Sequence, residues 1–295
     1  MPVHRSGAPR RARSPRTASV MFLALAALLL GPSGTAGAAP APPPGPAPSS
    51  YGKSAPEPTH PDRDWAGSQV AAHEGDPPGQ APKPPVAASV EGVDVSSHNG
   101  NVAWQTLWNG GVRFAYVKAT ESTSYTNPYF TQQYNGSYDV GMIRGAYHFA
   151  TPNTSSGAAQ ANYFVDHGGG WSGDGRTLPG ALDMEYNPYG STCYGKSATG
   201  LINWIKDWFA TYKERTGRDA VIYTSTGWWK QCTGNYADFG SVNPLWIPRY
   251  GTSAGELPSG WGFHTIWQYT SSGTTVGDRD RFNGAYDRLQ ALANG

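Results

Sequence analysis

The sequence predicts an α/β fold, an irregular TIM-like (β/α) barrel of five βα units followed by three strands. Two observations carry this expectation. From Val90 onward, apolar strand-like runs alternate with helical patterns, the order that builds a parallel sheet. Polar residues (Asp94, Glu121, His148, Asp183, Glu185, Tyr223, Arg249 and Gln268) fall at or just beyond the C-terminal ends of those strands. A barrel gathers such ends at one mouth. A doubly wound open sheet would spread them along a line, and it stands as the alternative fold.

The elements follow in order. VEGVDV reads as the first strand, and Asn101 as the cap of a helix carrying Trp104, Leu107 and Trp108. RFAYVKATE is the second strand. Asn127-Pro128 then sets a cap before a proline at the first helical position, with Phe130 and Tyr134 on one face. MIRGAYHFA is the third strand, and Ser155 or Ser156 starts the next helix. LPGALDME is the fourth. Ser197 caps the clearest helix, whose Leu201, Trp204, Ile205, Trp208, Phe209 and Tyr212 follow the 3.6-residue period. DAVIYT, PLWIPRY, FHTIWQY and a short piece near Val276 supply four more strands, with weak helices or none between them.

What precedes Val90 reads differently. Basic residues through Arg16 lead into the apolar run 20–30, followed by Gly-Pro and small residues. This is a secretory signal pattern, with cleavage placed after Ala38. The run is too short for a membrane span, which needs ~20 apolar residues. Residues 39–89 hold 14 prolines in 51 positions and read as a disordered linker. The domain is therefore 90–295, in a secreted, extracellular protein expected to act as a monomer.

Formal net charge is +1, and the basic excess sits in the first 50 residues, so the domain lacks the clustered Lys/Arg that nucleic acid requires. Aromatic residues are abundant, 34 of 206 from Val90 onward. Most are expected to fill the core, the rest to line a groove where sugar faces stack. The two cysteines, Cys193 and Cys232, read as one disulfide in an oxidising compartment, worth ~3–4 kcal/mol by loop entropy. Neither belongs to a CxxC pair, and no metal or organic cofactor is expected.

Ala181-Leu182-Asp183-Met184-Glu185 is the most informative segment. Two carboxylates two apart on a strand share a face, with Cα atoms ~6.6 Å apart. Such a pair in a partly buried site pushes one pKa up, keeping one group protonated to serve as an acid while the other stays anionic. That suits cleavage of a glycosidic bond. Asp278-Arg279-Asp280-Arg281 has the same spacing, but its alternating arginines suggest local ion pairs on a loop. There is no GxSxG and no HExxH.

GVDVSSHNGNVAW, FAYVKATES, IRGAYHFA, LPGALDMEYNP, VIYT, WQY and DRDRFNG, in that order, resemble glycoside hydrolase family 25, the Chalaropsis-type lysozymes (N-acetylmuramidases), especially secreted bacterial members with a disulfide like Cys193–Cys232. The resemblance covers the whole domain. It implies an irregular α/β barrel, and carries the family's carboxylates onto Asp94, Asp183, Glu185 and Asp278. By that match Glu185 is the general acid. Asp183 steadies the 2-acetamido group or its oxazolinium-like form, and Asp94 and Asp278 bind substrate, orient water or tune the other two. Asp278 is thereby lifted out of the loop reading, while Asp280 stays in it. Many members have Glu-Gly where this chain has Glu121-Ser122, which leaves that turn open.

The expected activity is hydrolysis of the β-1,4 bond between N-acetylmuramic acid and N-acetylglucosamine in peptidoglycan. Tyr147, His148, Tyr186, Tyr223, Trp246 and Tyr269 are the groove candidates. A non-catalytic wall-binding module explains the aromatics but not two carboxylates at an apolar strand end. A cell-wall amidase is the other alternative; it would release peptide amines rather than reducing ends.

Overall fold

Strand β1 (Val90–Val95) pairs in parallel with β2 (Phe114–Glu121) on one side and antiparallel with β9 (Asp278–Phe282) on the other. That double pairing closes a barrel. The staves run β1, β2, β4 (Ile143–Phe149), β5 (Ala181–Asp183), β6 (Val221–Tyr223), β7 (Leu245–Pro248), β8 (Ile266–Thr270) and β9, back to β1. A two-residue strand β3 (Tyr125–Thr126) hangs on the edge of β2. All pairings from β1 through β8 in the barrel are parallel; only β9 runs against its neighbours. The computed structural model describes residues 64–75, 89–273 and 275–295, all in one compact unit. The expected signal and most of the expected linker lie outside the described residues.

Five helices follow the first five barrel strands: α2 (Trp104–Asn109), α3 (Phe130–Asp139), α4 (Gly157–Phe164), α5 (Ala198–Thr216) and α6 (Thr226–Thr233). Ser197 caps α5 by accepting the Gly200 N–H at 3.2 Å, and Gly217 ends it in the left-handed region. All six predicted apolar residues of α5 are buried. At ~1.5–3 kcal/mol per large side chain, that face is what holds the helix on the sheet. Ser156 caps α4 as expected, whereas Asn101 and Asn127 lie upstream of the helix starts. Asn127 instead bonds the Lys118 carbonyl and Gln133, tying β2 to α3.

The barrel interior holds Phe114, Tyr116, Ile143, Tyr147, Val221, Tyr223, Trp246, Ile266 and Phe282. Leu289 and Ala293 of α7 (Tyr286–Asn294), a helix the sequence pattern did not announce, join the same cluster. Cys193 and Cys232 are bonded, with Cα atoms 5.3 Å apart, linking the β5–α5 loop to α6.

Strand β9 corrects the loop expectation for 278–281. Asp278, Asp280 and Phe282 are buried, while Arg279 and Arg281 are half-buried on the other face. The arginines pair with Glu91 of β1, at 3.1 and 2.7 Å, not with their aspartate neighbours. Period two, not local ion pairing, explains the alternation.

A bulge between Lys118 and Thr120 shifts the β2–β4 register. It lets Lys118 and Glu121, three apart, meet at 2.7 Å while Thr120 turns out to bond His148. The chain then turns at Ser122, whose φ of +52° keeps the left-handed conformation that glycine would take easily.

Candidate active site

The four expected carboxylates converge. Asp94 and Asp278 are register partners across β1 and β9. Asp183 ends β5, and Glu185 follows two residues later on the same side. None is more than 8% exposed. Burial lifts every one of these carboxyls. Asp94 is raised to about 7 and Glu185 to about 8. Asp183 and Asp278 are raised well above the ordinary aspartate range, by burial and then by like charge, from Glu185 on Asp183 and from Asp94 on Asp278.

A hydrogen-bond chain links them to the interior. Tyr223 donates to Gln268 Oε1 at 2.8 Å, and Gln268 Nε2 donates to Asp94 Oδ2 at 2.8 Å. Asp280 accepts the Trp246 indole N–H at 2.8 Å and shares a hydrogen bond with Asp94. Asp280 is fully buried, so it belongs to the site and not to a surface loop. Two carboxyls in hydrogen-bond contact hold one proton between them.

Both oxygens of Asp183, and one each of Glu185 and Asp278, have no hydrogen-bond partner among the described residues. Buried acceptors without donors are costly, and such a cluster is what a hydroxyl- and amide-rich ligand would satisfy. Lys118 supplies the one ammonium of the neighbourhood among the described residues, fully buried and 2.7 Å from Glu121. Its charge pulls the pKa values of Asp183 and Glu185 back down. Sequence reasoning missed it, although a lysine inside the apolar run FAYVKATE is itself a signal.

The groove candidates divide by strand parity. Tyr147, Tyr223 and Trp246 face the interior, where Tyr223 and Trp246 meet edge-on at 4.8 Å. Tyr186 lies at the mouth beyond Glu185. His148 does not belong to the groove. It is fully buried on the helix side between Thr120 and Gln160, at 2.8 and 2.9 Å, and lies near Phe164 and Trp208. Burial pushes its pKa down to about 4, so it is a neutral core histidine. Tyr269 also points outward, donating to Glu91 at 2.7 Å and packing near Trp267.

The mouth is covered by residues 64–75, part of the stretch expected to be a linker. Ala66 and Val70 are fully buried, and Val70–Glu74 form a short helix, α1. A cavity of about 350 Å³ remains beside Trp65, lined by Asp94, Asp278, His98 and the loop before β9.

With this geometry in view, residues 93–278 match the family described as Glycosyl hydrolases family 25. Lysozyme M1 of Streptomyces globisporus is 49% identical over 216 residues, 72% of this chain and 74% of the relative. An N,O-diacetylmuramidase from Chalaropsis sp is 46% identical, over 70% of this chain and all of the relative. The muramidase structure from Acremonium alcalophilum superposes with a TM-score of 0.69 at 53% identity, covering 70% of this chain and 99% of its own. The bacterial lysozyme of Streptomyces coelicolor gives 0.69 at 48%, over 71% and 99%. Similar proteins thus come from fungi as well as bacteria.

Proposed function

The chain belongs to glycosyl hydrolase family 25 and is a lysozyme-type glycosidase of peptidoglycan; on that footing we propose that it is a secreted N-acetylmuramidase with Glu185 as general acid. The carrying observation is the convergence of Asp94, Asp183, Glu185 and Asp278, all buried, at the C-terminal mouth of the barrel. In the covered mouth burial raises the Glu185 carboxyl to about 8, the direction a general acid needs to protonate the leaving glycosidic oxygen near neutrality. Asp183, with two unpartnered oxygens, accepts the N–H of the 2-acetamido group and offsets positive charge as the oxazolinium-like species forms. The Lys118 charge supports its anionic form.

Asp94 and Asp278 hold substrate or the attacking water, with Asp280 as a further member that tunes Asp94. Tyr147, Tyr186, Tyr223 and Trp246 shape the sugar subsite; His148 and Tyr269 take no part. The name of the Chalaropsis relative extends the proposal to walls whose muramic acid carries a second acetyl group. Secretion follows from the N-terminal signal pattern, and a monomer suffices because one barrel supplies every group. Mass spectrometry of digested peptidoglycan tests the reading. N-acetylmuramic acid at the new reducing ends is expected; N-acetylglucosamine there, or free peptide amines, would overturn it.

A further inference from the structure

We propose that residues Asp64–Gly75 form a built-in occluder, so that the full chain is a latent enzyme released when this segment leaves the mouth. The proposal rests on the muramidase reading of the same site. The segment engages the catalytic groups themselves. The Gly67 N–H donates to Glu185 Oε1 at 2.8 Å, and the Gln69 N–H donates to the same carboxyl. The Ala66 carbonyl accepts from Gln268 Nε2 at 2.9 Å, the amide that also holds Asp94. Tyr250 donates to the Gly67 carbonyl at 3.1 Å, and the Ala66 N–H reaches the Tyr147 hydroxyl at 3.3 Å. Asp64 adds an ion pair to Lys118 at 3.5 Å. The segment occupies Oε1 of Glu185 and leaves Oε2 with no route to a glycosidic oxygen, because no sugar can enter space that Ala66 fills.

The outer end is anchored as well. Glu74 accepts from Tyr186 at 2.8 Å and Ser225 at 2.6 Å, and His73 stacks on Tyr186 with ring centroids 4.1 Å apart. The sequence is fitted to the seat. Gly67 has φ of +91°, and a Cβ there would lie 2.4–2.7 Å from the Tyr250 hydroxyl, the Gln268 oxygen and the Tyr223 hydroxyl. No such segment is needed to build the barrel. The Chalaropsis relative is matched over its whole length by 70% of this chain, about the share the barrel occupies. The barrel therefore folds on its own.

Fourteen residues, 76–89, join the segment to β1. A short tether gives an effective concentration of ~1 mM, so even a peptide affinity of ~0.1 mM leaves only about one chain in ten open. The experiment compares three proteins on wall suspensions: residues 39–295, residues 89–295, and 39–295 carrying Gly67→Val, which disturbs the segment and no catalytic group. The barrel alone is expected to clear walls at least tenfold faster than the long chain, and Gly67→Val to restore most of that rate. A synthetic 64–75 peptide added to the barrel should raise KM and leave kcat unchanged. Equal rates for the long chain and the barrel, or no gain from Gly67→Val, would overturn the proposal. Should the barrel release no reducing ends, the muramidase reading fails. Occlusion is then decided by calorimetric binding of a soluble wall glycan: binding by the barrel but not by 39–295 supports it, and equal binding overturns it.

Discussion

Replacing Glu185 by Gln should make the protein inactive and, at alkaline pH, more stable. The two effects share one cause. In the folded chain Glu185 is fully buried and its pKa rises from the ordinary 4.5 to about 8. Below pH ~4.5 both folded and unfolded states hold the proton, and the group costs nothing. Between 4.5 and 8 the unfolded chain releases its proton while the folded one keeps it, so stability falls as pH rises. Above 8 the full cost is in place, on the order of 4–5 kcal/mol at ~1.4 kcal/mol per tenfold change in ionisation. The neutral amide of Glu185→Gln carries no such cost. Its carbonyl can still accept the Gly67 N–H, and its NH₂ group can donate toward the unpartnered oxygens of Asp183. Urea midpoints of wild type and variant should coincide at pH 4 and separate by about 1.5 M at pH 9, taking a slope of ~3 kcal/mol/M. In the barrel alone, wall lysis should fall by ~10²–10⁴-fold, the share general acid catalysis supplies. Near wild-type lysis would remove Glu185 from the acid role. Equal midpoints at both pH values would refute the burial argument, whatever the activity did.

Reducing Cys193–Cys232 should lower the melting temperature, by ~3–4 kcal/mol of stability, while room-temperature turnover changes little; calorimetry with and without reductant beside a lysis assay checks this. At Ser122 the left-handed backbone costs ~1–2 kcal/mol, partly offset by its 2.8 Å bond to Thr154. Melting temperatures should therefore rank Gly at or above Ser, and Ala lowest, since Ala keeps the strain and loses the bond. Asp280→Asn should cost tenfold or more in kcat/KM and change the pH profile, because the new amide would donate to Asp94 and hold it anionic. Tyr269→Phe should leave KM alone and cost ~1 kcal/mol through the lost Glu91 bond, seen as a lower melting temperature only.

The barrel was legible because its strands are buried on both faces and its helices on one, so the hydrophobic period changes at every boundary. Asp94, Asp183 and Glu185 were legible for a similar reason: polar residues at the ends of apolar runs have few places to go in a closed sheet; Asp278 came from the family resemblance alone. Strand β9 was not legible, since DRDRF is polar at two of its three inward positions and fails any apolar criterion, although its alternation is that of a strand. The groove residues failed where adjacent positions were both assigned inward. Tyr147 faces the interior, so His148 faces the helices; Gln268 faces in, so Tyr269 faces out. Period two allows only one of each pair, and the register needed to choose comes from neighbouring strands. The bulge after Lys118 breaks even that rule locally, which is why Lys118 and Glu121 meet.

The stretch before the barrel shows how an average hides a signal. Fourteen prolines in residues 39–89 argue against packing, yet none falls between Pro61 and Pro77. That window carries Trp65, the first of eleven tryptophans and the one outside the barrel, together with Val70 and three alanines. Composition taken over fifty residues says that ordering cannot be offset by burial. Over fifteen residues the balance differs, because the partner surface is already built. Only the segment's own backbone entropy must be recovered, at ~1–2 kcal/mol per residue. The returns are the burial of Ala66 and Val70, the amides bonded to Glu185 and Gln268, and the charges of Asp64 and Glu74 met by Lys118 and by Tyr186 with Ser225. The Glu185 oxygen and the Gln268 amide that the segment's backbone bonds give it its reason to sit there, and a sugar chain must displace it from the mouth.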